Sequence, residues 1–307
     1  MSTGTREEFL AAQRRMLARH GVEARSRFVD APVVGGRAHV LEVGEGPAVV
    51  MLNGMGTPAA MWAPLMAELD GLRLLAVELP GYGLTDTDPR FADDLRANAV
   101  SFLEDALDAL GLSRPAFVAN SLGSLWTIWL ALDRPGRVGP TVHVGCPGAA
   151  PGTVPPLPLR LQAVPVLGRL LTLLAPPSEA QVEGLARMVR EHPLDPELVD
   201  LLVATERLPG FIDTLLSTLH AMLRLRGYRP EIELTEDDLG RVGQPGLLVW
   251  GERDPFGAVE AGRAMAAALP DAEMHVVEGG HAPWLDEPER IGRLAGAFLG
   301  QGTAGNA

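Results

Sequence analysis

Between Leu72 and Val144 the sequence alternates short β-prone apolar runs with longer stretches of helical spacing, and this rhythm narrows the possible folds more than any other feature. Leu72 to Val77, Ala116 to Ala119 and Val138 to Val144 read as strands, with helices over Phe91 to Leu110 and Leu122 to Leu132 between them. Each strand must reach a parallel neighbour through a right-handed helical crossover, so a parallel sheet with helices packed on it follows. The rhythm stops at Pro147. It resumes with a strand at Gly246 to Trp250, a helix at Ala258 to Leu269, a strand at Met274 to Val277 and a last helix near Pro288 to Leu299.

Ahead of this region, Arg6 to His20 has the spacing of a packing helix. The runs Arg25 to Val29, Ala38 to Val43 and Ala48 to Leu52 read as antiparallel strands, with a helix near Pro58 to Leu69 after them. Pro147 to Arg241 opens on a Pro-rich stretch. Helical candidates follow at Leu157 to Leu174, Glu179 to Arg190, Pro196 to Arg207 and Phe211 to Arg226, and the acidic Glu231 to Asp238 reads as the solvated return. The expectation is an α/β protein with a mostly parallel eight-stranded sheet flanked by helices. Residues 1–146 and 242–307 form its core, and residues 147–241 form a helical cap inserted after the sixth strand.

Three strand ends carry residues with chemistry. In Phe117-Val-Ala-Asn-Ser121-Leu-Gly123 a strand runs into a helix through a serine flanked by small residues, the pattern of a strained turn that exposes a nucleophile. The same serine would also suit a simple helix cap. Leu247-Leu-Val-Trp-Gly-Glu-Arg-Asp254 places a carboxylate just past a Gly turn, with Glu252 as a competing acid closer to the strand. In Val276-Val-Glu-Gly-Gly-His281 a histidine follows a Gly-Gly turn, which sets it apart from the other six, including His275 within or beside the strand. A serine activated by an imidazole, itself oriented by a carboxylate, is the arrangement acyl transfer uses.

With these motifs the chain resembles the serine-nucleophile branch of the α/β-hydrolase superfamily, whose members carry Ser, Asp and His in this order. The resemblance implies Ser121 as nucleophile, His281 as base and Asp254 as its orienting acid. Asn53-Gly-Met-Gly is similar to the family's His-Gly oxyanion loop with Asn53 in place of His, which implies backbone N–H groups of Met55 and Leu122 as oxyanion donors. Glu78-Leu-Pro-Gly-Tyr-Gly resembles a structural turn of the family in which Asp is usual at the first position. Ala119 stands where the elbow usually has Gly. Asn53, Trp62, Asn120 and Trp284 are candidate pocket residues.

The implied reaction is hydrolysis of a small or medium-sized carboxylic ester, lactone or related acyl compound. One alternative is carbon–carbon bond hydrolysis of diketone-like substrates, because Ala-Asn-Ser-Leu-Gly is similar to the Gly-Asn-Ser-Met-Gly elbow of such enzymes. Another is a non-catalytic ligand-binding protein on the same fold. The serine at the elbow disfavours the aspartate-nucleophile dehalogenases and epoxide hydrolases.

Composition removes other classes. All 26 basic residues are Arg, so lysine Schiff bases, pyridoxal phosphate anchors and the Walker lysine are excluded. Neither metal-ligand spacing nor a dinucleotide glycine motif appears, so no metal or cofactor is expected. A net charge of -13 with no basic cluster along the chain opposes nucleic acid and anionic lipid partners, leaving a small, apolar acyl substrate as the expected one. The polar N-terminus and the Pro- and Arg-broken stretch Leu157 to Ala175 predict neither a secretion signal nor a membrane span, hence a cytoplasmic protein. Cys146, Trp126 and Trp129 read as packing residues.

Overall fold

The structure is a computed structural model that describes residues 3–174, 177–186 and 192–304. After helix α1 (Thr3–Arg19) come strands β1 (Arg25–Ala31), β2 (Gly36–Val43) and β3 (Ala48–Leu52), then a 3-10 turn leading into the short α2 (Ala63–Met66). The alternating part runs β4 (Arg73–Val77), α3 (Leu95–Ala109), β5 (Ala116–Ala119), α4 (Leu122–Asp133) and β6 (Thr141–Val144). The insertion holds α5 (Leu157–Gln162), α6 (Pro165–Leu174), α7 (Glu179–Ala186), α8 (Pro196–Glu206) and α9 (Phe211–Met222). A small hairpin of β7 (Leu223–Arg224) and β8 (Gly227–Tyr228) follows, and α10 (Glu236–Leu239) leads back to the core. The chain closes with β9 (Gly246–Gly251), α11 (Val259–Ala268), β10 (Ala272–Val277) and α12 (Pro288–Ala304).

Eight strands form one sheet in the order β1-β2-β4-β3-β5-β6-β9-β10. Only β1 with β2 and β2 with β4 are antiparallel, and every other pair is parallel. The eight-stranded, mostly parallel sheet with a helical insertion after β6 is the architecture read from the sequence.

One strand departs from that reading. β3 lies parallel between β4 and β5 and does not join the antiparallel edge. Ala-Val-Val-Met-Leu is apolar throughout and buried over nearly its whole length, and strands covered on both faces belong inside parallel sheets. β5 and β6 are buried in the same way, and α4 between them is buried over Leu122 to Ala131, as its all-round apolar sequence requires. Trp126 and Trp129 pack within this layer, and Cys146 is a buried free thiol.

The insertion differs from its reading in two places. Leu157 to Leu174 is two helices, because Pro165 cannot continue α5 and starts α6 instead. Phe211 to Arg226 stops at Met222, and the hairpin takes over with Leu223 opposite Tyr228 and Gly227 at φ 150°. Residues 187–190 of the helix expected to end at Arg190 lie outside the described residues. The acidic return includes α10, whose Thr235 and Asp238 cap each other reciprocally. Leu234 N–H bonds the Ala149 carbonyl and joins the two ends of the insertion, while Arg15–Asp200 and Arg19–Asp195 ion pairs tie α1 to α8.

Candidate active site

β5 ends at Ala119, α4 starts at Leu122, and the two residues between them make the turn. Ser121 has φ 51° and ψ -113°, and with Ala149 it is one of only two non-glycine residues at positive φ among the described residues. Such a backbone costs on the order of 1–3 kcal/mol and persists only where its surroundings fix it. The surroundings here are specific. Asn120 N–H bonds the Leu52 carbonyl, and Gly123 N–H bonds the Asn53 carbonyl. A Cβ on Gly123 would sit 2.5 Å from the Leu52 carbonyl oxygen and 2.7 Å from that of Asn53, so only glycine allows α4 to approach β3. Ala119 is fully buried between Leu52 and His143 in the sheet register, where its methyl is accommodated.

The loop after β3 lies against the elbow. A Cβ on Gly54 would be 2.8 Å from Asn120 Oδ1 and 3.2 Å from Ser121 Cβ, so Gly54 to Gly56, with Met55 between, runs directly beside the serine. Asn53 is 1% exposed, and neither its amide nitrogen nor its amide oxygen has a hydrogen-bond partner among the described residues. Helix α9 covers this loop from the insertion. A Cβ on Gly56 would lie 3.5 Å from the Phe211 ring and 3.8 Å from Leu215, and Phe211 also meets Tyr82 edge-on at 5.8 Å.

Asp254 and His281 come together from the ends of β9 and β10. His281 Nδ1 is 3.0 Å from Asp254 Oδ1 and 2.9 Å from Oδ2, with the aspartate side chain wholly buried. Backbone N–H groups hold the carboxylate, Cys146 donating to Oδ2 at 2.8 Å and Phe256 to Oδ1 at 2.9 Å. Two backbone donors and an imidazole hold this buried carboxylate in a fixed orientation. Phe256 stacks on the imidazole at 4.0 Å, leaving Nε2 of His281 buried and without a partner among the described residues. Burial and the neighbouring Asp254 charge both push the Cys146 thiol well above its ordinary range, so it stays protonated. Glu252, the competing acid, is half exposed and pairs with Arg253.

The remaining candidates occupy defined positions. Asn120, 4% exposed, donates its amide to the carbonyls of Val144 at 2.7 Å and His281 at 3.0 Å, so one side chain ties the elbow to β6 and to the histidine loop. Trp62 and Trp284 are buried, with ring centroids 4.3 Å apart, and Trp284 Nε1 donates to the Met61 carbonyl. They brace the segment after the Gly54 loop against the histidine loop. His275 lies on β10. No cluster of three His, Cys, Asp or Glu side chains among the described residues is arranged to hold a metal ion.

A sheet in this order, with a serine elbow after its fifth strand and an aspartate–histidine pair at its last two, defines the class of α/β-fold hydrolases. The sequence matches the alpha/beta hydrolase family over residues 49–294, and the chain belongs to it. It is 28% identical over 280 residues, 85% of this chain and 91% of the relative, to a 2-hydroxy-6-oxononadienedioate/2-hydroxy-6-oxononatrienedioate hydrolase of Pseudomonas putida. The fold is similar to the carboxylesterase CesB of Bacillus subtilis, at TM-score 0.78 and 21% identity over 97% of this chain and 99% of that one. It is also similar to the 2-hydroxy-6-oxo-6-phenylhexa-2,4-dienoate hydrolase of Rhodococcus sp. strain RHA1, at TM-score 0.75 and 21% identity over 91% and 99% of the two chains. A carboxylesterase and a dienoate hydrolase therefore share this fold.

Proposed function

We propose that this chain is a serine hydrolase in which Ser121 attacks a substrate carbonyl, and that the bond it cuts is a carbon–carbon bond in a diketone-like substrate. The His281–Asp254 pair, with a partnerless Nε2 at the same sheet end as the strained Ser121, carries the serine hydrolase reading. In this mechanism Nε2 takes the Ser121 proton as Oγ bonds to the carbonyl carbon. Asp254 fixes the imidazole tautomer and stabilises the imidazolium, while the N–H groups of Met55 and Leu122 receive the developing oxyanion. Collapse expels the leaving group, which takes the proton from His281. Water then releases the acid from Ser121 through the same base.

The choice of bond rests on the curated relative. A 2-hydroxy-6-oxo-dienedioate has no ester or amide link, so its hydrolysis must break the carbon skeleton beside the ketone. Once the enol has ketonised, passing its proton to the carbon next to that ketone, an extended dienolate is a leaving group stable enough to depart. Asn53, buried with both amide atoms unpartnered, is proposed to meet a polar group of the substrate. The insertion, residues 147–241, is proposed to act as a cap that supplies much of the pocket, on the evidence of Phe211 and Leu215 over the loop beside Ser121.

Ester or lactone hydrolysis is the second reading. It is favoured by the apolar character of the described side chains near the elbow, Phe211 and Leu215 of the cap and Leu125 of α4, which suit an uncharged acyl group. Vinylogous diketones, lactones and nitrophenyl esters assayed side by side separate the two. The carbon–carbon reading expects kcat/KM for the best diketone to exceed that for the best ester at least tenfold, and the reverse ranking makes the enzyme an esterase. If Ser121→Ala turned over either class at the wild-type rate, the serine mechanism would fall for both.

A further inference from the structure

Every large apolar side chain that stands about half exposed or more among the described residues belongs to the insertion, and none belongs to the core. Four lie on α6. Val166, Leu170, Leu173 and Leu174 recur at the spacing of one helical face, and Val166, Leu173 and Leu174 are 84%, 75% and 73% exposed. The opposite face is pressed inward, where a Cβ on Gly168 would meet the Gln162 carbonyl oxygen at 2.0 Å and Leu216 of α9 at 3.2 Å. A surface helix normally keeps its apolar side from water, and α6 exposes these four apolar side chains together with Arg169. Leu157 of α5 and Leu225 of the hairpin extend the patch, joined by Arg160, which donates to the Leu225 carbonyl.

The rim of this patch is basic in a chain of net charge -13. No acidic residue occurs between Asp133 and Glu179, nor between Asp213 and Glu231. Arg169 stands on α6 among the exposed leucines, Arg160 bonds the Leu225 carbonyl, and the exposed Arg224 and Arg226 flank Leu225 on the hairpin. Asp213 engages Arg169 at 3.2 Å, and Glu231 lies 3.7 Å from Arg224, so acid reaches the rim at two points only among the described ion pairs. Charges more than about 10 Å away are screened at ordinary salt, so the local arginines decide what this face attracts.

We propose that this face of the insertion lies on an anionic lipid surface, with the α6 leucines in the headgroup–acyl boundary and the arginines on lipid phosphates. An apolar helix face bordered by arginine is the makeup of an interfacial helix, lying on the membrane without spanning it. No helix among the described residues is long and apolar enough to span. A second copy is the poorer occupant, because a two-fold contact sets the same arginines against each other. The face is at the catalytic end of the sheet. Thr153, at the root of α5, adjoins Gly257 and Cys146, and the Cys146 N–H holds Asp254. Binding would therefore present the site to molecules dissolved in the lipid, whichever bond is cut.

The test is sedimentation of the full chain with phosphatidylcholine vesicles, with and without phosphatidylglycerol, alongside ultracentrifugation of the protein alone. The wild type should partition to the phosphatidylglycerol vesicles and lose that partition as salt rises. Leu173→Asp should weaken it at least about tenfold, and Arg224→Glu or Arg226→Glu about fivefold or more each. These side chains are exposed, so turnover of a soluble substrate without vesicles should stay at the wild-type rate. Three results would overturn the proposal: no partition of the wild type, equal partition of wild type and variants, or a solution dimer that Leu173→Asp dissolves.

Discussion

The molecule holds two arrays with the residue types serine, histidine and carboxylate, one at the sheet edge and one at the candidate site. At the edge of the sheet Ser26 Oγ is 2.7 Å from His39 Nε2, and His39 Nδ1 is 2.8 Å from Glu78 Oε2, with both buried side chains fully covered. At the other place Asp254 holds His281 near Ser121. The first array looks the more complete. Yet Ser26 sits on regular strand β1 opposite Leu41, and its hydroxyl already occupies the imidazole. Glu78 accepts from Leu84 N–H, and Thr85 links the Glu78 carbonyl to the His39 N–H, so the group fastens the Gly81 to Thr85 turn to β2. Ser121 instead rides a strained turn beside the Gly54 to Gly56 loop, and Nε2 of His281 is left without a partner among the described residues. Residue types and distances alone do not make a site. The strained backbone of Ser121 distinguishes the array proposed to meet a substrate from the one that serves the fold.

The sharpest way to break this contrast is Ser121→Ala. We expect turnover to fall by about 10⁴-fold or more with the fold retained, and a fluorophosphonate probe should then label nothing. Labelling at Ser26 in that variant would erase the distinction between the arrays. Asp254→Asn tests the carboxylate, and kcat should drop by roughly 10⁴-fold through loss of the imidazole tautomer, whereas Glu78→Gln should lower the melting temperature with kcat within about twofold in the surviving folded enzyme. Equal kcat losses for the two would make both acids catalytic.

His143 supplies a third case, a fully buried histidine whose pKa is set by burial. Burial pushes its pKa down to about 4, so it is neutral in the folded state. Between that value and the ordinary 6.5 the unfolded chain binds the extra proton, so stability is lost as pH falls through this window and is full above it. The group accounts for roughly 3 kcal/mol of acid destabilisation. Denaturant titrations of His143→Gln across the window should show a flatter acid limb, and an unchanged limb assigns the loss elsewhere. The smallest effect belongs to Ser26→Ala, at about 1 kcal/mol of stability and less than a twofold change in kcat. A larger kcat loss there would show the edge array reaching the chemistry.

The candidate site was legible because its parts are local. A strand and the turn that follows it lie within ten positions at Ser121, Asp254 and His281, and a parallel sheet gathers such strand ends without further instruction. The edge array had no such signature, since Ser26, His39 and Glu78 belong to three strands and meet only through register. Nor did the sequence show that Asn120 turns its amide to the His281 carbonyl, because the acceptor lies 161 residues away. The direction of β3 and the outward face of α6 were likewise decided by packing. Periodicity reports that a helix has an apolar side, and it does not report which way that side faces.

The tie made by Asn120 has a consequence for how the enzyme fails. One amide spans the elbow, the end of β6 and the carbonyl of His281, so the proposed nucleophile and base are fastened to a common staple. Opening of the histidine loop must break that staple, and a broken staple frees the serine turn to relax its strain. On warming, the two halves of the chemistry should disengage together, in one local opening that precedes the melting of the sheet, so that inactivation and unfolding become separate clocks.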